Sequence, residues 1–129
     1  MILKAEHPLA FSWRALLEVA GEDLHPEAKP WQLYPIGLAP QALVNVPHTS
    51  MPLIYAVPGN GWTYVGQTRQ TLRARLAGHL RNPLKARTWA AIMVVELQPD
   101  ISAARLDELE SSGHHLLRPR TGERWPLVS

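Results

Sequence analysis

The sequence predicts an α+β fold. A small three-stranded, antiparallel-type sheet is flanked by helices in the order β-β-α-β-α, behind an N-terminal helix and a proline-rich extension. Three observations predict it. Leu53–Val57 and Trp62–Gly66 read as strands joined by Pro58-Gly59-Asn60-Gly61, where glycine and asparagine accept the positive φ of a hairpin turn. Trp89–Leu97 is apolar and β-branched, which suits a central strand covered on both faces. Between and after these runs, leucines recur at helical spacing.

The elements follow in order. In residues 9–21, Leu9, Trp13, Leu16, Leu17 and Ala20 share one face of a helix, and Gly21 is its C-terminal stop. From Leu24 to Pro52 six prolines, Pro26, Pro30, Pro35, Pro40, Pro47 and Pro52, interrupt any regular ladder. That stretch reads as extended chain lying across a core, with a short helical turn around Gln41–Val44, because Trp31, Leu33, Ile36 and Leu43 still require burial. After the hairpin, Thr68 or Thr71 caps a helix running to about Leu80 and ending near Asn82-Pro83. Gln98-Pro99-Asp100 turns the chain, and Asp100 or Ser102 caps a last helix through about Leu117. The division expected is 1–51, helix and extension packed on the core, and 52–129, the functional domain.

At 129 residues the chain has room for one sizeable core. No apolar run is long enough to span a bilayer, and Met1–Phe11 lacks the layout of a signal peptide. Without cysteine there is neither a disulfide nor a thiolate zinc site, so a cytoplasmic location is the default expectation. Net charge is only +2, but its distribution is uneven. From Ala56 to Val95 there is no Asp or Glu, while Arg69, Arg73, Arg75, Arg81, Lys85 and Arg87 all fall there. Such a block fits a solvated basic helix or a surface that meets phosphates.

Within that block lie the groups that carry chemistry. Tyr55 and Tyr64, nine residues apart across the turn, can face the same side of a hairpin. Singly, each is an ordinary strand tyrosine. Arg75 and His79, four apart, border the Leu72, Leu76 and Leu80 stripe of the next helix. There an arginine can pack its stem on the core and turn its head to a phosphate. His79 can take a proton from water or from a tyrosine, or be a half-exposed surface histidine. The last helix offers Glu108 and Glu110, beside a packing stripe of Leu106, Leu109, Gly113 and Leu117. Adjacent His114 and His115 diverge by about 100° on a helix and do not share one ion.

Over about residues 52–120 this order of groups resembles the GIY-YIG nuclease superfamily. Leu53-Ile54-Tyr55 and Tyr64-Val65-Gly66 match its two signature strands, with Leu53 in place of the first glycine and Val65 in place of isoleucine. Gln67-Thr68, Leu72, Arg75 and Leu76 match the segment that follows, and His79 matches a histidine of some branches. The resemblance implies a metal glutamate nine residues before a proline, as in the nuclease domain of bacterial excision-repair enzymes. Counting back from Pro119 reaches Glu110 and leaves Glu108 as a solvated acid. Gly122 stands where many members have asparagine.

The function implied is divalent-metal-dependent hydrolysis of DNA phosphodiester bonds. One Mg²⁺ or Mn²⁺ is held at Glu110, an ion type that keeps several waters and takes few protein ligands. Tyr55, helped by His79, activates the attacking water, Tyr64 orients the water or the phosphate, and Arg75 offsets charge on the phosphoryl oxygens. Which tyrosine is the base stays open. Arg69, Arg73, Arg81, Lys85 and Arg87 are expected as positioning contacts to the DNA backbone. One site cuts one strand, so a double-strand cutter calls for a homodimer. The alternative is a binding module that keeps the fold and the basic face without cleaving.

Overall fold

The computed structural model describes residues 8–36, 46, 49–59 and 62–118. The expected turn at Gln41–Val44, the hairpin tip Asn60-Gly61, Pro119 and Gly122 lie outside the described residues. Helix α1 spans Pro8–Ala20. Leu9, Trp13, Leu16 and Ala20 are buried while Phe11 points to solvent, as the helical spacing requires. Gly21 then adopts φ +51°, a left-handed conformation that costs glycine little and that ends the helix. A single 3₁₀ turn, Gly21–Asp23, follows.

The strands are β1 (Leu33–Pro35), β2 (Leu53–Pro58), β3 (Thr63–Thr68) and β4 (Ala91–Glu96). The fold is α+β, and its sheet has four strands rather than the three expected, in the order β1-β4-β2-β3. Every neighbouring pair is antiparallel. The added strand, β1, comes from the proline-rich extension and pairs Leu33 with Met93 and Pro35 with Ala91 on the free side of β4. Pro35 is tolerated because β1 is an edge, where one missing N–H breaks no ladder on the open side. With β1 in place, β4 is central and buried from Ala91 to Val95, as its apolar text demands.

The second difference is helix α3 (Pro83–Thr88), which follows α2 (Leu72–His79) after a short turn. Asn82-Pro83 ends one helix, as expected, and starts another. The Asn82 side chain accepts from the backbone N–H of Leu84 and of Lys85, and Pro83 takes the first helical position, where its missing N–H is harmless. Thr71 precedes α2 without a side-chain capping bond, and the Thr68 hydroxyl instead accepts from Gln70 N–H. Helix α4 (Ala103–Leu117) is capped by Ser102, whose hydroxyl accepts from Arg105 N–H at 3.0 Å.

The two faces of the sheet bury different partners. Ile54, Ala56, Val65, Met93 and Val95 pack on α1 and α4, where Leu106, Leu109, Gly113 and Leu117 form the expected stripe. α1 and α4 therefore share one core with the sheet, and α1 is built into the fold. The opposite face carries Leu53, Tyr55, Val57, Ile92 and Val94 against Leu72 and Leu76 of α2 and against Trp89. Each of these large side chains contributes about 1.5–3 kcal/mol on burial. Among the described residues no helix is long and apolar enough to cross a membrane.

Candidate active site

The hairpin register places the tyrosines. Tyr55 pairs with Gly66, and Tyr64 pairs with Val57, so the two tyrosines are diagonal neighbours on the face that α2 covers. Their rings stack with centroids 6.2 Å apart. Tyr55 is completely buried, and its ring crosses directly over Gly66. A Cβ at position 66 would lie 2.5 Å from both the Cζ and the hydroxyl oxygen of Tyr55. Glycine is needed there for the close approach, not for its backbone angles.

From α2, His79 brings Nε2 to 2.8 Å from the Tyr55 hydroxyl. The imidazole also lies edge-on to Tyr64, with centroids 5.1 Å apart, and 4.9 Å from the Trp89 ring. One turn earlier on the same helix, the exposed Arg75 sets its guanidinium beside the Tyr55 phenol. Lys85, from α3, brings Nζ to 2.9 Å from His79 Nδ1 and over the faces of Tyr64 and Trp89, at 5.0 and 5.3 Å. Five side chains from β2, β3, α2 and α3 thus meet around one phenol oxygen and one imidazole.

Their environment sets their protonation. Burial pushes the Tyr55 phenol up to about 12, and the charge of Arg75 beside it works in the opposite direction. Burial also pulls His79 down to about 4, assisted by the positive charges of Lys85 and Arg75. At neutral pH both groups are uncharged in the protein alone. The Arg75 guanidinium is held further toward its charged form, chiefly by Tyr55 and then by Tyr64 and Glu110. Arg75 is thus the electrostatic link between the two tyrosines and the carboxylate of α4.

Glu110 lies at the β3 edge of the sheet, half-buried, with Gln67 Nε2 donating to its Oε2 at 2.8 Å. The same amide nitrogen donates to Oδ1 of Asp107, one turn earlier on α4. Two carboxylates therefore converge on a single electropositive atom. Hard oxygen donors, few in number and open to solvent on one side, suit Mg²⁺ or Mn²⁺. Glu108 points elsewhere. Its carboxylate pairs with Arg105 at 2.7 Å and is largely exposed. His114 reaches Glu110 only at 4.0 Å, and His115 is exposed.

The expected residues thus gather in two adjoining groups, Tyr55, Tyr64, Arg75 and His79 on one side and Glu110 on the other. The expected phosphate contacts divide. Arg81 and Arg87 are exposed. Arg69 donates to the Ile101 carbonyl, Arg73 donates to the Val46 carbonyl, and Lys85 is committed to His79. Sequence reasoning did not single out Gln67 or Asp107, nor the seat of Lys85 on His79. Strand alternation puts Gln67 on the Val65 side, facing α4, and Asp107 precedes Glu110 at the i,i+3 spacing of one helix face. No family model matches the chain, and neither a curated protein nor a solved structure matches it.

Proposed function

We propose that this protein is a divalent-metal-dependent endonuclease of GIY-YIG type that hydrolyses phosphodiester bonds in DNA. The observation that carries the reading is the convergence of Tyr55, Tyr64, His79 and Arg75 around one phenol oxygen, with Arg75 also within the field of Glu110. A buried phenol flanked by an arginine and an imidazole has no evident packing purpose that phenylalanine would not serve as well. It suits the handling of a proton beside a phosphate.

In this reading the ionised Tyr55 takes a proton from the attacking water, whose oxygen forms the new bond to phosphorus as the bond to the leaving oxygen breaks. Arg75 donates to the phosphoryl oxygens as negative charge builds there. Tyr64, half-exposed at the mouth of the site, orients the water or the phosphate through its hydroxyl. Glu110, with Asp107 beside it, would hold Mg²⁺ or Mn²⁺, which when bound supplies Lewis-acid polarisation of the phosphate and relief of charge on the leaving oxygen. Arg81 and Arg87 offer exposed contacts to the DNA backbone, and Arg69 and Arg73 add charge while tying down neighbouring carbonyls. The second reading, a module that binds DNA without cutting, is favoured by the uncharged state of both Tyr55 and His79 at neutral pH in the protein alone.

A plasmid assay separates them. Supercoiled DNA is incubated with Mg²⁺ or Mn²⁺ or with chelator, using wild type, Glu110→Ala and Glu108→Ala. The nuclease reading expects metal-dependent nicking that is abolished in Glu110→Ala and kept in Glu108→Ala. Retarded DNA in low salt with no nicking under any condition would establish the binding module instead.

A further inference from the structure

We propose that Lys85 holds His79 in a single tautomer and so makes the imidazole a hydrogen-bond donor to the Tyr55 oxygen. The proposal deepens the nuclease reading and rests on it for its catalytic consequence, but the geometry and its test stand apart from DNA cleavage.

Donors and acceptors around the imidazole fix its tautomer. A lysine ammonium has three N–H donors and no lone pair. At 2.9 Å from His79 Nδ1, Lys85 can only donate, so Nδ1 must present its lone pair. A neutral imidazole whose Nδ1 is bare carries its hydrogen on Nε2. Nε2 is the atom 2.8 Å from the Tyr55 hydroxyl, so Nε2–H donates and the phenol oxygen accepts. The reverse arrangement, with Tyr55 giving its proton to His79, needs Nδ1 protonated and would set an N–H against the ammonium.

The surroundings favour the same state. The titratable and charged groups that face the imidazole are Tyr55 from β2, Tyr64 from β3, Arg75 from its own helix and Lys85 from α3: two phenols and two cations. None of them stabilises an imidazolium, in keeping with the low proton affinity of His79. Lys85 itself is well located. The Asn82 cap fixes the first turn of α3, and the ammonium lies over the electron-rich faces of Tyr64 and Trp89, which attract a cation.

The consequence changes the role of His79. It does not accept the Tyr55 proton. In the neutral phenol, the hydroxyl hydrogen is left for Tyr64, a water or a phosphate oxygen. In the phenolate, the oxygen receives the His79 N–H with Arg75 alongside, so two donors favour the charged form. Lys85 and His79 are positioning residues for Tyr55, and Lys85 is set apart from the lysines and arginines that only neutralise phosphate.

The test is a long-range ¹H–¹⁵N correlation spectrum of the full chain near neutral pH, without metal or DNA, with His79 assigned through His79→Gln. Wild type is expected to show a protonated, pyrrole-type Nε2 and a bare, pyridine-type Nδ1. In Lys85→Met, the Nδ1 resonance is expected to move toward the protonated type and the titration midpoint of His79 to rise. A protonated Nδ1 in wild type would overturn the proposal, as would a Lys85→Met spectrum and titration identical to wild type. Since no cleavage is measured, failure of the nuclease reading and failure of this proposal are seen separately.

Discussion

Tyr55 is where the fold and the proposed chemistry meet. Its ring belongs to the core, yet its oxygen is the common partner of α2. Gly66 makes that possible by leaving room for the ring across the strand pair. Gly66→Ala would place a methyl carbon 2.5 Å from the phenol, too close for a carbon–carbon contact, against a ring that is completely buried. The expected cost is about 1–3 kcal/mol, the usual penalty for overpacking a core. Thermal or urea unfolding of the variant checks it, and stability equal to wild type would show that the ring is not confined as described. The placement of these side chains is legible in the sequence where local periodicity decides it. A strand period of two and a helix period of 3.6 put Tyr55 with Tyr64 and Arg75 with His79 without knowledge of the rest. The choice of Glu110 over Glu108 agrees with the way the two acids face, toward Gln67 and toward Arg105 respectively. Which donor meets which acceptor was not legible, because it depends on how separate elements dock. Lys85 on His79 is the clearest case.

Two elements are not legible in the sequence for one physical reason: proline reads locally as an interruption. In β1, Pro35 sits on an edge, where the lost donor has no neighbour to serve. At α3, Asn82-Pro83 stops one helix and begins the next, since asparagine caps and proline at the first position suits helical φ. The hairpin, the central strand β4 and the stripe of α4 were legible because apolar content and periodicity agree there. α3 is short, and its hold on Lys85 depends on its cap. Asn82→Ala removes the acceptor of two backbone N–H groups and is expected to cost about 1 kcal/mol. Urea unfolding reads the loss. A change well under half that size would mean that packing against Trp89 and Tyr64, rather than the cap, keeps α3 in place.

Taken whole, the molecule is a sheet that separates two kinds of burial. On one face α1 and α4 make an apolar core. On the other, aromatic rings, an imidazole and two cations replace part of that core with polar groups held at fixed distances. β3 is the edge strand between the two, and its residues divide between them: Tyr64 joins the aromatic side, and Gln67 reaches the α4 carboxylates. Arg75 lies beside Tyr55 and within the field of Glu110. In the proposed reading a phosphate would lie at this edge, between Tyr55 and Arg75 on one side and the Glu110 carboxylate on the other. The central claim is that Tyr55 supplies the proton chemistry. The most direct measurement is single-turnover cleavage of a plasmid by wild type and Tyr55→Phe in Mg²⁺ as pH is raised from neutral, with DNA binding measured on the same samples. A base that ionises above the working pH gives a wild-type rate that climbs with pH, and removing it is expected to slow cleavage by about 10²–10⁴-fold while binding is kept. Cleavage by Tyr55→Phe at the wild-type rate, with the same pH dependence, would contradict the account.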